Sequence, residues 1–222
     1  MLEAAHKTAP ISLTGLPQAA IAWRAAATLG APHRKVAFTV PTGNFGDIFA
    51  GYVAQRMGLP VDRLVVATNV NDILARTLAT GTYEVREVVA TSSPSMDIQV
   101  SSNFERLLFE ACGRDAAQVR GLMASLAQSG RFSISTPALG KIRELFAAGR
   151  ADENETAAEI RTTLRETSRV IDPHTAVALA STAVRRRVRS ACWRTAGLSR
   201  GVCSPVCSHT RRSASPRMPV TS

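Results

Sequence analysis

The chain has 222 residues, 45% of them apolar, which fits one large or two small globular domains with a sizeable core. No stretch approaches the roughly 18 uninterrupted apolar residues that span a bilayer, and the N-terminus lacks the apolar segment of a signal peptide. We therefore expect a cytoplasmic protein with no membrane span. Of the net charge of +10, +9 comes from nine arginines in Ser181–Ser222, a segment without lysine or acidic residues, so residues 1–180 are almost neutral.

A buried strand, a glycine-containing turn and a helix are predicted in succession near the start of the chain. Residues 1–34 form a segment of their own, in which only Leu16–Leu29 has a helical pattern. The almost unbroken apolar run Lys35–Val40 is typical of a strand covered on both faces. The turn Pro41–Asp47 follows it, and a helical pattern then runs from Asp47 to Met57.

The same alternation repeats over the next forty residues. Arg63–Thr68 is predicted as a second buried strand, Asn71 or Asp72 as the N-cap of a helix reaching Leu78, and Glu84–Ala90 as a third strand. Strands alternating with helices at this spacing favour a parallel sheet with right-handed crossovers and flanking helices. Residues 35–95 are therefore predicted to be an α/β core.

Residues 96–180 are predicted to be a mostly helical segment that returns to this core. One lone strand is expected within it at Arg131–Ser135, and Asp172 is expected to cap the last helix. The other helical stripes cover Asn103–Ala111, Ala116–Gln128, Pro137–Ala148 and Glu155–Thr167, the last of them capped by Asn154 or Glu155. Residues 181–222 have no periodicity, are rich in Arg, Ser and Pro, and are predicted to be disordered.

The turn Pro41–Asp47 is the candidate site for chemistry. A helix N-terminus presents unpaired N–H groups and a partial positive charge, so it binds an anion without a basic side chain. Gly43 and Gly46 would let the backbone approach a phosphate closely, while Thr42 and Asn44 add side-chain donors. Asp47 would repel a phosphate, so we expect it to be an N-cap or to hold loop amides. A tight turn without any ligand remains the alternative.

Other polar residues are interpreted as structural. His174, at a predicted helix start, has no catalytic partner nearby in the sequence, and Ser92, Ser93 and Ser95 form no Gly-x-Ser-x-Gly elbow. Only one cysteine, Cys112, lies in the body of the chain, which indicates a reducing compartment. Three further residues, Cys203, Cys207 and His209, have a spacing that fits no well-known zinc pattern, so no metal site is expected.

Four segments resemble signatures of threonine synthases of the longer bacterial and fungal class, and they occur in that family's order: Val40–Tyr52, Ala67–Leu74, Ser93–Leu107 and Ile171–Val177. The resemblance spans about residues 30–180. It implies the tryptophan-synthase β-like fold (fold type II), the cofactor pyridoxal 5'-phosphate, and conversion of O-phospho-L-homoserine and water to L-threonine and phosphate. By the same resemblance, the residues that bind the cofactor are Gly43, Asn44, Phe45, Gly46 and Asp47.

The sequence departs from that family at both ends. The family's Schiff-base lysine lies upstream in a Phe-Lys-Asp context, whereas the lysines present here, Lys7, Lys35 and Lys141, lack that context. Beyond Ala176 the family continues with a helix and a strand, where this chain becomes rich in Arg and Ser. We therefore expect an incomplete fold and a chain that is inactive alone. The alternatives are a non-catalytic remnant that binds phosphate or pyridoxal phosphate, and a basic interaction protein acting through its tail, although the tail lacks the interleaved aromatic residues of nucleic-acid binders.

Overall fold

A parallel four-stranded sheet forms the centre of the molecule. The computed structural model of the protein describes residues 18–182 and 190–192. The sheet has the strand order β5-β2-β1-β6, with every neighbouring pair parallel. Its strands are β1 (Val36–Pro41), β2 (Val61–Thr68), β5 (Phe146–Arg150) and β6 (Ser190–Cys192). All six residues of β1 are buried, as the apolar run in the sequence predicts for a strand covered on both faces.

Helices and a small second sheet surround this centre. Residues 18–28 form helix α1. The other helices are α2 (Gly46–Arg56), α3 (Ile73–Thr80), α4 (Phe104–Ala111), α5 (Ala116–Ser129), α6 (Thr136–Leu145), α7 (Glu153–Thr167) and α8 (Pro173–Thr182). Strands β3 (Thr82–Glu84) and β4 (Arg131–Ser133) pair antiparallel, so the strand expected alone near residue 131 has a partner. The predicted α/β class is confirmed, and within the described ranges no helix is long and apolar enough to cross a membrane.

The predicted third strand at Glu84–Ala90 is wrong. Only Glu84 belongs to a strand there, and residues 85–90 are exposed and irregular. The side chain of Asn71 replaces a neighbouring strand, because its Nδ2 donates to the Val89 carbonyl (2.8 Å) and its Oδ1 accepts from the Val89 amide (2.9 Å). A residue whose backbone groups are satisfied in this way does not need a strand partner.

The third long strand of the main sheet is instead β5, which the sequence pattern assigns to the end of the helix Pro137–Ala148. That helix ends at Leu145, and β5 begins at once with Phe146, which pairs with Leu64 of β2. Gly149 of this strand lies under α8, since a Cβ there would be 2.7 Å from the Ser181 carbonyl oxygen. The run Phe-Ala-Ala-Gly-Arg has no β-branched residue, so tertiary contacts decide its conformation.

The N-cap of α7 differs from the predicted one, whereas that of α8 agrees with it. Helix α7 begins two residues before the predicted start: Asp152 is its N-cap and forms a capping box with Glu155, which excludes Asn154 and Glu155 as the cap. Asp172 accepts from the His174 amide at the start of α8, as predicted. Residues 190–192, within the segment predicted to be disordered, form β6, and the remainder of that segment beyond residue 182 lies outside the described residues, as do Cys203, Cys207 and His209.

Candidate functional site

The predicted anion-binding turn lies at the carboxyl end of the central strand. It joins β1 to α2, and its first residues extend the sheet, because the Thr42 amide donates to the Ala67 carbonyl (2.8 Å). The Thr42 hydroxyl is turned back to the Val40 carbonyl (2.6 Å) and is buried, so it is not available as a ligand donor in this conformation. Open parallel sheets place their ligands at this edge.

A row of unpaired amides begins immediately after Thr42. The N–H groups of residues 43–48 donate to no acceptor among the described residues, and the first helical bond is from the Phe49 amide to the Phe45 carbonyl (3.1 Å). A cavity of about 490 Å³ lies in front of them. All five predicted binding residues line this cavity, which is bounded by Pro41, Thr42, Gly43, Asn44, Phe45, Gly46, Asp47, Ile48, Ser95, Met96 and His174.

The loop carbonyls are held on the side away from this cavity. Ser101 Oγ donates to the Gly43 carbonyl (2.9 Å), and the backbone amide and Nδ2 of Asn103 donate to the Asn44 carbonyl (3.1 and 2.9 Å). In a planar trans peptide the C=O and the next N–H point in opposite directions. Fixing these two carbonyls therefore aims the amides of Asn44 and Phe45 the other way, into the cavity.

Phe45 carries the unusual backbone conformation of the turn. It is the N-cap of α2 and has a left-handed φ of 67°, whereas neither Gly43 nor Gly46 has a positive φ. This conformation is costly for a residue with a side chain. Packing compensates, because the Phe45 ring is buried with its centroid 5.3 Å from that of Phe104 and 5.7 Å from that of Phe146.

The two glycines of the turn have different roles. A Cβ on Gly43 would lie 2.7 Å from the Ser95 carbonyl oxygen, closer than real Cβ atoms approach, whereas a Cβ on Gly46 would meet only Asn103 Nδ2 at 3.5 Å. Gly43 is therefore required by the approach of the protein's own backbone around Ser95. The predicted close approach of this turn to a phosphate stays a prediction, and the close neighbour of Gly43 in the structure is a loop of the same chain.

Asp47 is neither the N-cap nor a holder of loop amides. It is the second residue of α2, 9% exposed, and its carboxylate makes no hydrogen bond with any described residue. Burial raises the pKa of Asp47 to about 6. Because the folded-state pKa lies above the value of 3.8 for an unperturbed Asp, the folded protein binds this proton more tightly than the unfolded chain. Asp47 therefore favours folding most below pH 3.8, and that contribution is lost as the pH rises to about 6.

His174 has the catalytic-type partner that its sequence context does not reveal. Its Nε2 lies 2.6 Å from Ser95 Oγ, and its Nδ1 lies 3.2 Å from Asp172 Oδ1. Asp172 is itself fixed, since Oδ2 accepts from the Thr175 hydroxyl (2.6 Å). Ser95 and His174 are 79 residues apart in the chain, so no local motif could have predicted their contact.

A buried polar network holds the loop that carries Ser95. The Asp97 carboxylate accepts from Asn69 Nδ2 (2.7 Å), Asn71 Nδ2 (3.0 Å), and both the amide (2.8 Å) and hydroxyl (2.6 Å) of Thr91. Asn69 Nδ2 also donates to Ser93 Oγ (3.0 Å). The network ties the carboxyl end of β2 to residues 91–97, so β2 positions the part of the cavity wall that Ser95 and Met96 form.

No described lysine reaches this cavity. Lys35 is exposed and immediately precedes β1, at the end of the sheet opposite the turn. Lys141 is exposed on α6 and borders a different cavity, beside Glu110 and Glu144. Lys7 lies outside the described residues. Among the described residues, the turn therefore has the donors for an anion but no amine beside them.

Relatives with this sequence and fold are threonine synthases, although no protein-family profile matches the chain. The chain is 48% identical to threonine synthase of Pseudomonas aeruginosa over 155 residues, which are 70% of this chain and 33% of that protein. Its fold superposes on a crystal structure of pyridoxal-phosphate-bound threonine synthase from Brucella melitensis with a TM-score of 0.79 and 56% identity, covering 80% of this chain and 39% of that one. Its fold also superposes on a crystal structure of threonine synthase from yeast with a TM-score of 0.71 and 38% identity, covering 76% of this chain and 36% of that one.

These matches confirm the resemblance found in the sequence and the fold type that it implies. The chain spans about a third of the length of the curated relatives that it matches. Its incomplete α/β sheet corresponds to the part of those proteins that the match covers. By sequence and by fold, this chain therefore corresponds to a segment of threonine synthases that is about one third of their length.

Proposed function

We propose that residues 43–47 hold the phosphate group of pyridoxal 5'-phosphate in a threonine synthase-type site. The observation that carries this proposal is the row of six amides, residues 43–48, which find no acceptor among the described residues and border a cavity of about 490 Å³. Such amides bind a phosphate dianion through short, charge-assisted hydrogen bonds, with support from the dipole of α2. The relative from Brucella melitensis is described as bound to pyridoxal phosphate.

The reaction proposed for this site is the family's carbon–oxygen lyase reaction, in which O-phospho-L-homoserine and water give L-threonine and phosphate. Pyridoxal phosphate, when bound, supplies the electron sink for that reaction. The residues of this chain would contribute phosphate binding through Gly43–Asp47 and a cavity wall through Ser95, Met96 and His174. Because no described lysine borders the cavity, we expect this chain alone to bind the cofactor without a covalent bond and to form no threonine.

The same proposal includes a cytoplasmic location, a small phosphorylated substrate and no nucleic-acid partner. The body of the chain, residues 1–180, carries a net charge of only +1, since nine of the ten net positive charges lie beyond it. A nearly neutral body gives no extended basic surface for a polyanion. The cradle instead suits a single phosphate group, which is the chemistry shared by the cofactor and the substrate.

The test is a titration of the full chain with pyridoxal phosphate, followed by absorbance, with inorganic phosphate as competitor. We expect saturable binding that phosphate displaces and that borohydride does not fix to the protein. Gly43→Ala should weaken binding because its Cβ would clash with the Ser95 carbonyl, whereas Gly121→Ala, on α5 with no atom within 4 Å of its Cβ, should not. Two results would contradict phosphate binding by residues 43–47. One is pyridoxal phosphate binding that inorganic phosphate does not displace, and the other is cofactor that borohydride fixes to Lys141.

A further inference from the structure

Ser95, His174 and Asp172 form a hydrogen-bonded chain, of which Ser95 and His174 line the cavity. His174 Nε2 lies 2.6 Å from Ser95 Oγ and Nδ1 lies 3.2 Å from Asp172 Oδ1. With the Nδ1 proton donated to the carboxylate, Nε2 is left to accept the hydroxyl proton of Ser95. Ser95 is exposed to solvent. A serine with a base on its hydroxyl and a carboxylate on that base has the arrangement of an activated nucleophile.

Donors for a developing negative charge border the same cavity. The amides of residues 43–48 have no acceptor among the described residues, and Ser95 is in contact with this loop, as the 2.7 Å distance from its carbonyl oxygen to a Cβ on Gly43 shows. Unpaired backbone amides that face the reacting atoms stabilise the oxyanion of a tetrahedral intermediate. The nucleophile, the base and the oxyanion donors therefore line one cavity, and the orienting carboxylate is hydrogen-bonded to the base.

We propose that Ser95 is a base-activated nucleophile that accepts the acyl group of a small carboxylic ester. Ser95 Oγ bonds to the ester carbonyl carbon while its proton passes to His174 Nε2, and the amides of the loop hold the oxyanion. The carbon–oxygen bond to the alcohol then breaks, and the alcohol leaves with the proton from His174. Water repeats the sequence at the acyl-serine, releasing the carboxylic acid and restoring the Ser95 hydroxyl. Asp172 is a positioning residue, since it acts on Ser95 only through its hydrogen bond to the His174 ring.

The decisive experiment treats the folded full chain with a fluorophosphonate probe, whose phosphorus a base-activated serine attacks with loss of fluoride. Peptide mass spectrometry should place the adduct on Ser95. His174→Gln should slow labelling by about 100-fold or more, the usual contribution of a general base, and Ser95→Ala should abolish it. Ser92→Ala, in the same exposed loop, is the matched control and should label at the wild-type rate. No adduct on Ser95, or an unchanged rate in His174→Gln, would overturn the proposal.

Two further measurements separate positioning and oxyanion binding from loss of fold. Asp172→Asn keeps a good N-cap for α8 but removes the charge beside His174, so the pH midpoint of labelling should move down. An unchanged midpoint would overturn the role of Asp172. Inorganic phosphate should protect Ser95 by occupying the amides, and no protection at a concentration that displaces pyridoxal phosphate would overturn their role as oxyanion donors. Pyridoxal phosphate binding by the wild-type chain is measured without the probe, so a failure of cofactor binding and a failure of the nucleophile are distinguishable outcomes.

Discussion

Replacing Gly43 by alanine is the most direct perturbation of the turn Pro41–Asp47. The added Cβ would lie 2.7 Å from the Ser95 carbonyl oxygen and 3.4 Å from Met96 Cα. Both neighbours are backbone atoms, so the clash cannot be relieved by moving a flexible side chain. The loop that contains them is also held in place by the Asp97 carboxylate. The turn Pro41–Asp47 or residues 93–97 must shift instead.

The expected cost follows from overpacking, which typically destabilises a well-packed site by about 1–3 kcal/mol. We expect Gly43→Ala to lower the free energy of unfolding in urea by that amount with an unchanged denaturant slope. A shift of the loop should also misalign the amides, and the same 1–3 kcal/mol corresponds to roughly a 5- to 150-fold loss of affinity for pyridoxal phosphate.

Gly46→Ala is the matched control for this prediction. Its Cβ would make only an ordinary contact of 3.5 Å, and the residue begins α2 without a positive φ. Alanine in a helix is favoured over glycine by up to about 1 kcal/mol, so this variant should be as stable as the wild type or more stable. The steric reasoning is refuted if Gly43→Ala unfolds at the wild-type urea concentration while Gly46→Ala is the destabilised variant.

Substitutions at three other positions are tested by urea unfolding. Asp47→Asn removes a buried carboxylate whose pKa is raised to about 6. It should stabilise the protein by up to about 3 kcal/mol at pH 7.5, where the wild-type carboxylate is ionised, and have little effect near pH 4. Equal effects at both pH values would refute the burial argument. Asp97→Ala removes the acceptor of four hydrogen bonds, from Asn69 Nδ2, Asn71 Nδ2 and both the amide and the hydroxyl of Thr91, and should cost about 3 kcal/mol. A loss below about 1 kcal/mol would show that the network is dispensable. Asp152→Ala removes the capping box of α7 and should cost about 1 kcal/mol, whereas Asp152→Asn should retain most of that stability.

The elements that local patterns predict well are those whose burial repeats along the chain. Strands β1 and β2 and helices α2 and α4 lie within a few residues of their predicted positions, because an apolar run or a helical stripe is visible within one window. The sequence also predicts that the turn between β1 and α2 presents unpaired amides at the start of a helix. Its glycines, its strand and its helix start are consecutive in the sequence.

The features that the sequence did not predict depend on partners far along the chain. Strand β5 forms beside β2, about 80 residues upstream, although its own residues favour a helix. Residues 85–90 have strand-like composition, yet Asn71 satisfies the backbone of Val89. The Ser95–His174 contact and the left-handed Phe45 likewise require the assembled core, so only a three-dimensional structure reveals them.

The buried ring of Phe45 has a consequence for how the loop meets a ligand. Because the ring is wedged between Phe104 and Phe146, the left-handed bend at the head of α2 is set when the core forms. A dianion that binds to this loop would meet a preformed backbone, so little binding free energy would be lost to ordering the loop. Ligand-free and ligand-bound molecules should therefore have superimposable loops, and the ring that sets this geometry never needs to touch the ligand.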